Sequence, residues 1–239
     1  MNLVIDAGNT RTKVGIFEGV TIREWKVFPI GTNPLDFISK TKFDHAILSS
    51  VSEHGDLLFN AIQPGVSKIR MSSKLLAPIK NLYATPETLG SDRLAAACGA
   101  WTLFPNESSL VIDIGTCINY EFVHQRGEYH GGAISPGLSL RFLSMHQYTS
   151  RLPMTEPTKE ALLTGNNTIT CLQSGVMNGV CEEINGIVTR YKHDHPGVRV
   201  ILTGGDAHFF EKLAKPPIFV APDLVLRGLN SILLHNVNP

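Results

Sequence analysis

Two stretches of this chain carry the same local pattern nearly half a chain apart. Leu3-Val4-Ile5-Asp6-Ala7-Gly8 recurs as Leu110-Val111-Ile112-Asp113-Ile114-Gly115 in a sequence of 239 residues. In each copy an apolar, strand-like run delivers a carboxylate, a glycine turns the backbone, polar residues follow, and the chain becomes apolar again. A short apolar match alone can arise by chance. The whole series of strand, Asp, x, Gly, polar residue and second strand, repeated, points to a duplicated α/β chain whose halves each open on a β-hairpin. Pro105-Asn106-Glu107-Ser108-Ser109 is the clearest linker signal, so the halves are expected at residues 1–106 and 107–239.

Within this frame, strands are predicted at Leu3–Ile5, Val14–Phe17, His45–Ser50 and Val66–Met71, with a helix over Ser52–Ile62. Ser91–Phe104 reads as a helix because its alanines favour one, with Ser91 as N-cap. In the second half, Gly131–Leu143 reads as a strand, a turn and a helix. Two helices are expected at Asn167–Gly179 and Val180–Tyr191. Val198–Ala207 reads as a buried strand running into a glycine turn that opens a helix. The last helix is expected over Pro222–His235, with Leu224, Leu226, Leu229, Ile232 and Leu233 facing a core.

Composition excludes several classes. Twenty-one basic residues balance 21 acidic ones, which is not the footprint of a nucleic-acid binder. No stretch approaches the roughly 20 apolar residues of a membrane span, and no signal peptide is evident. The four cysteines, Cys98, Cys117, Cys171 and Cys181, form no C-x-x-C pair and sit in apolar contexts. They read as reduced, buried thiols of a cytoplasmic protein. His193 and His195, in K-H-D-H-P-G, read as a solvated loop rather than a metal site, since no further ligand lies nearby in sequence.

The opening hairpin has a chemical reading. Gly8 permits a tight turn and close backbone approach. Asn9, Thr10 and Thr12 offer side-chain donors, and turn amides can point at an anion. Lys13 adds positive charge. Asp6 repels phosphate directly, but it can hold a water on a divalent metal bridging phosphates. The turn thus suits a nucleotide triphosphate; the bland alternative is an ordinary polar hairpin turn. The second copy keeps Asp113, Gly115 and Thr116 but lacks the lysine. Thr116 can bond phosphate, and Asp113 either holds a cation or braces the turn. Gly204-Gly205 in T-G-G-D-A lets the backbone lie against a purine or ribose. Gly90-Ser91-Asp92-Arg93 opens the alanine helix. Asp92 there complements the helix dipole, or pairs as a general base with an arginine that clamps a substrate carboxylate.

Taken together, these residues resemble the type III pantothenate kinases of the actin-like acetate and sugar kinase superfamily. The resemblance spans essentially the whole chain, in the family's order. It rests on D-A-G-N-T-R-T-K at the start, G-S-D-R for G-x-D-R, D-I-G-T for D-x-G-T, G-G-x-I-x-P-G at Gly131–Gly137, and T-G-G-D-A. It implies a duplicated ribonuclease-H-like (actin-like ATPase) fold, with two similar domains each built on a mixed β-sheet flanked by helices. It also implies a homodimer and ATP-dependent phosphorylation of pantothenate, the first step of coenzyme A synthesis. Mg2+ and a monovalent cation, K+ or NH4+, are implied as cofactors. Carried over by motif, Asp6, Ala7, Gly8, Asn9, Thr10, Arg11, Thr12 and Lys13 bind ATP phosphates with Thr116, and Asp113 ligates the monovalent cation. Asp92 is the general base. Gly90, Ser91, Asp92 and Arg93 line the pantothenate site with Tyr83, and Thr168 in G-N-N-T matches a substrate-binding threonine. After D-x-G-T the family usually reads A-x-T-x-D, where this chain has Cys117, Asn119 and Glu121.

Other classes fit less well. Sugar kinases and phosphatases of the superfamily are usually much longer, and 239 residues leave room for little beyond two core domains. A ribonuclease-H-type nuclease needs a carboxylate cluster for two metals and a basic face. A non-catalytic transcriptional accessory factor on the same scaffold has no need of Asp92 or Lys13, and both are present.

Overall fold

The computed structural model describes residues 1–8, 10–29, 31–32, 34–50, 53–72, 74–210 and 218–237. β1 (Asn2–Ala7) and β2 (Arg11–Glu18) form the first hairpin, antiparallel, with Asp6 opposite Lys13 and Ala7 opposite Thr12. β3 (Thr21–Pro29) extends it antiparallel. Its side chains are mostly exposed, which is why no apolar run announces it in the sequence. After α1 (Leu35–Ile38), β4 (His45–Ser50) returns parallel to β1, and α2 (Glu53–Ala61) leads to β5 (Ser67–Arg70), parallel to β4. The sheet order is β3-β2-β1-β4-β5.

The rest of the chain builds a second sheet. Its elements are β6 (Lys80–Asn81), α3 (Ser91–Leu103), β7 (Ser109–Ile114), β8 (Cys117–His124), β9 (Glu128–Pro136), α4 (Leu138–Gln147), α5 (Thr168–Asp194), β10 (Arg199–Thr203), β11 (Ile218–Val220) and α6 (Leu224–Val237). The order is β11-β10-β7-β8-β9-β6. Without the two-residue β6 and read from the other edge, this is β9-β8-β7-β10-β11, the order of the first sheet. β10 runs parallel to β7 and β11 to β10, as β4 does to β1 and β5 to β4. The duplication read from L-V-I-D-x-G therefore extends to whole-sheet topology.

The chain forms two compact units. One comprises Met1–Asn106, Val123–His130 and Asp223–Pro239; the other comprises Glu107–Phe122 and Gly131–Pro222. In the first, alternation along β1 sends Leu3, Ile5 and Ala7 into a core with Val14, Phe37, Leu48, Phe59 and Ile62. The opposite face of β1 and β4 meets α6, where the Asn2 side chain donates to Asn230 Oδ1 at 3.0 Å. Leu224, Leu226, Leu229, Ile232 and Leu233 are all buried, as expected. α6 also packs along α3. A Cβ at Gly228 would strike the Ala95 carbonyl, and one at Gly99 the Leu224 carbonyl. The alanine run thus serves a backbone-close helix crossing as well as helix propensity.

In the second unit, Leu110, Ile112, Ile114, Ile118 and Tyr120 pack with Phe142 and the buried face of α5. α5 is one helix of 27 residues, not the two expected. Its glycines, Gly175, Gly179 and Gly186, each cost about 1 kcal/mol relative to alanine. Yet Leu172, Val176, Val180, Ile184 and Val188 form an unbroken four-residue stripe across them, so burial carries the helix through. An Asn167/Thr170 capping box starts it. T-G-G-D-A leads to a single 3-10 turn at Ala207–Phe209 rather than a longer helix, with residues 211–217 outside the described set. Only Cys98 of the four free cysteines is buried, and Cys171 is exposed, so the expectation of four buried thiols is corrected. His193 and Asp194 bond to each other at the end of α5, so this segment is helical rather than loop. No helix among the described residues is long and apolar enough to cross a membrane.

Candidate active site

The geometry of the first unit follows from strand register. Asp6 is the penultimate residue of β1 and half-buried. Lys13 lies beside it on β2 and Ser49 beside it on β4. Register partners share a face, so Lys13, Asp6 and Ser49 form a row across three strands. The turn is closed by the Gly8 N–H donating to the Arg11 carbonyl at 3.1 Å. Thr10 and Arg11 are exposed. Thr12, opposite Ala7, is buried to 2 % exposure on the other face, away from the Asp6 row. Asn9 lies outside the described residues.

The row leads directly to the G-S-D-R motif. The Ser49 hydroxyl lies 2.9 Å from that of Ser91. Ser91 does not cap α3 as expected: the N-cap is Gly90, with no side-chain cap bond, and the Ser91 hydroxyl is turned to β4 instead. A Cβ at Gly90 would crowd the Asp92 carboxylate, 2.6 Å away, so glycine makes room for it. Asp92 is exposed and accepts the Arg93 N–H at 2.9 Å. Arg93 is buried, and its guanidinium lies 5.5 Å from the centre of the Tyr83 ring. Tyr83 in turn stacks on Tyr129 at 6.4 Å. Strand register, chain neighbours and side-chain contacts together join Asp6, Ser49, Ser91, Asp92, Arg93 and Tyr83 within this unit. A cationic lysine and turn amides suit a polyphosphate. An exposed carboxylate next to a planar, aromatic-backed guanidinium suits a hydroxyl acid.

The second unit assembles its own cluster. Asp113 occupies in β7 the position of Asp6 in β1, and its register neighbour on β10 is Thr203. Gly204 has φ +99°, and a Cβ there would strike the Ile114 carbonyl and the Asp113 carboxylate. Gly137 N–H donates to the Thr116 carbonyl at 3.0 Å, and it has no room for a side chain against Gly115 and Thr116. The D-I-G-T, P-G and T-G-G-D motifs thus meet around one turn, where Gly137 and Gly204 are required for space. The Thr203 hydroxyl is fully buried and finds no hydrogen-bond partner among the described residues. A buried orphan oxygen is costly, and beside a carboxylate it is a ready ligand for a cation. No group of three or more His, Cys, Asp or Glu that could hold a metal occurs among the described residues.

A polar network lies behind this turn. Arg141 Nε donates to the Pro136 carbonyl at 2.8 Å, and its Nη2 to Ser135 Oγ at 2.8 Å and to the Glu183 carboxylate. Tyr120 OH donates to the other Glu183 oxygen at 2.8 Å. Burial pushes the Glu183 carboxyl up, but the hydrogen bonds from Arg141, Tyr120 and Ser135 outweigh it and hold the pKa below the ordinary value. Burial, then the bond to Glu183, raises the Tyr120 phenol. Thr168 stands elsewhere in this unit. It is exposed at the start of α5 and lines a cavity of about 570 Å³ with Arg141, Met145, Cys171, Leu172 and Val176. Sequence reasoning missed Ser49, Arg141 and Glu183. Ser49 is the penultimate residue of an ordinary apolar strand, and Glu183 sits in the middle of a helix; neither has a local signature.

The sequence matches the family model described as type III pantothenate kinase over residues 2–190. A type III pantothenate kinase of Cytophaga hutchinsonii is 40% identical over 237 residues, covering 99% of this chain and 100% of the relative. One from Bacteroides fragilis is 42% identical over 241 residues, covering 99% and 98%. Solved structures show the fold at lower identity. A candidate Baf family transcriptional activator from Campylobacter jejuni has a TM-score of 0.63 at 19% identity, covering 99% and 100% of the two chains. The activator of 2-hydroxyisocaproyl-CoA dehydratase from Clostridium difficile, solved with bound ADPNP, has a TM-score of 0.54 at 15% identity, covering 98% and 93%.

Proposed function

The chain belongs to the type III pantothenate kinase family, and from that premise we propose which of its residues carry each part of the reaction. The enzyme phosphorylates pantothenate with ATP and a divalent metal, giving 4'-phosphopantothenate at the entry to coenzyme A synthesis. The observation that carries the assignment is the register of Asp6 beside Ser49 and the hydrogen bond from Ser49 to Ser91, which together tie the phosphate-type hairpin to the start of α3.

In this reading the first turn holds the ATP phosphates, through its amides, Thr10, Arg11 and the Lys13 charge. Asp6 would hold Mg2+ through water. A single half-buried carboxylate fits an ion that keeps several waters and is bound largely by phosphates. When bound, that ion neutralises charge on the phosphate oxygens. Tyr83 and Arg93 seat pantothenate, with the guanidinium on its carboxylate. Asp92 accepts the proton of the primary hydroxyl as that oxygen attacks the γ-phosphorus and ADP departs. Phosphoryl transfer depends mainly on positioning and charge, so Asp92 orients the nucleophile more than it drives the step.

Asp113, with the orphan Thr203 hydroxyl beside it, would hold the monovalent cation, K+ or NH4+, and Thr116 would reach a phosphate. The unpartnered buried oxygen supports this over a purely bracing role for Asp113. Exposed Leu140, Leu143, Tyr148, Leu162, Leu163 and Ile169 crowd the second unit with apolar surface. This supports a homodimer that covers it, and Thr168, in the same stretch, keeps its assignment to substrate. Free cysteines and a biosynthetic role support a cytoplasmic setting.

A coupled ADP-release assay tests the whole reading. Turnover is expected with pantothenate and not with a panel of sugars, in potassium and not in sodium alone, from a species of twice the chain mass by light scattering. Equal turnover in sodium-only buffer would remove the cation site. A monomer of full activity would remove the dimer.

A further inference from the structure

The Arg141–Glu183 pair has no part in the roles assigned above, yet its connections run straight to the second turn. Arg141 lies in the first turn of α4. Its guanidinium uses a rigid fork to grip two consecutive residues of the preceding segment, the Ser135 hydroxyl and the Pro136 carbonyl, both at 2.8 Å. The next residue, Gly137, is packed against the Gly115 and Thr116 carbonyls and donates its N–H to Thr116. Glu183 holds the guanidinium from the far side, and it is itself held by Tyr120. Both partners of the ion pair are about three-quarters shielded, at 24% side-chain exposure each. In that setting the loss of one charge strands the other.

We infer that Arg141 and Glu183 form a positioning pair that fixes the Gly115–Thr116 turn by way of Ser135–Gly137. The inference rests on the assignment of that turn to phosphate and cation. Arg141 also reaches the cavity that holds Thr168, whereas Glu183 does not line it, so Glu183→Gln is the variant that isolates the positioning role. The pair sets where the Thr116 hydroxyl and the Asp113 carboxylate stand when ATP and the cation arrive, and a purely structural pair would only hold α4 to α5. The two roles differ in what a variant changes. A looser turn weakens ATP and cation binding while leaving the Asp92 chemistry in the first unit alone. A merely structural pair lowers the unfolding temperature and moves no Michaelis constant.

The test is steady-state kinetics on the full chain for Glu183→Gln, Arg141→Gln and their double variant, with Thr116→Val as reference and Tyr120→Phe as control. Glu183→Gln is expected to raise both the KM for ATP and the half-activating potassium concentration about tenfold. The pantothenate KM and the kcat at saturation should stay within about threefold. The double variant should resemble either single variant, because the pair acts as a unit. Tyr120→Phe removes a bond to the same carboxylate but none to the 135–137 segment, so it should lower the unfolding temperature and leave the ATP KM within about twofold. If Thr116→Val raises the ATP KM and Glu183→Gln does not, the pair is structural and the inference falls alone. A Thr116→Val enzyme with an unchanged ATP KM would remove the phosphate assignment of the turn, and the inference built on it. Equal shifts in the pantothenate and ATP constants of Glu183→Gln would also overturn it.

Discussion

The two hairpins have the same burial pattern along their first strands, residue for residue, from Asn2–Ala7 to Ser109–Ile114. They differ in what surrounds the shared aspartate. Beside Asp6 stand Lys13 and a Ser49 whose hydroxyl is satisfied by Ser91. The third residue of β8, where β2 has Lys13, is Asn119, and beside Asp113 stands a Thr203 whose buried hydroxyl lacks a partner among the described residues. Duplication supplied two equivalent strand ends. Their neighbouring strand positions differ, and on the proposed assignment that difference places the lysine charge at the first and the cation site at the second. The shared aspartate alone does not distinguish the two strand ends; the flanking strands do.

The largest expected effect breaks the symmetry most sharply. Asp92→Asn keeps size and a side-chain oxygen, so the protein should fold and bind ATP while turnover falls about 100-fold or more. Near-normal turnover would reduce Asp92 to a helix-start residue. The helices provide a second contrast, in stability. α3 and α6 cross at backbone distance in the first unit, so Gly228→Ala should destabilise by about 2 kcal/mol or more in urea unfolding. Gly179→Ala in α5 faces open space and should instead stabilise by up to about 1 kcal/mol. A same-sign result would show that the α3–α6 crossing is not as tight as described.

Next, Lys13→Ala should raise the ATP KM about tenfold, with the pantothenate KM little changed, whereas Asn119→Ala should move neither by more than about twofold. Equal shifts from both would erase the distinction between the hairpins. The smallest effect concerns pH. The hydrogen bonds to Glu183 overcome its burial and lower its folded pKa. Its stabilisation is therefore complete above the unfolded value of 4.5 and is lost as pH falls through the lower folded value. The stability gap between wild type and Glu183→Gln should be about 1 kcal/mol at neutral pH, reduced by partial exposure. It should narrow as the pH is lowered below 4.5 and close once the folded carboxyl is protonated.

Much of this was legible in the chain. L-V-I-D-x-G revealed the duplication because a strand that ends at a working turn needs both a buried apolar run and a fixed carboxylate. The alanine run marked α3 through helix propensity. β3 stayed hidden because most of its side chains face water and leave no clear alternation. The continuity of α5 was obscured by glycines that local propensity penalises and its buried stripe overrides. Ser91 suits an N-cap by type, but Ser49, 42 positions away in sequence, claims its hydroxyl. Only tertiary pairing shows that. Ser49, Arg141 and Glu183 escaped for the same reason: their significance lies in register and in contacts across elements, which no local motif encodes.

The central claim is that Lys13 beside the first aspartate serves the phosphates, whereas Asp113 itself serves the monovalent cation. Its most direct test titrates potassium and ATP, in one assay, against Lys13→Ala and Asp113→Asn. The account predicts crossed effects. Lys13→Ala should raise the ATP KM and leave the half-activating potassium concentration near wild type. Asp113→Asn should abolish potassium stimulation and, at the residual rate, change the ATP KM far less. If both variants shift both constants in parallel, or Asp113→Asn still responds to potassium as wild type does, the division of labour is contradicted.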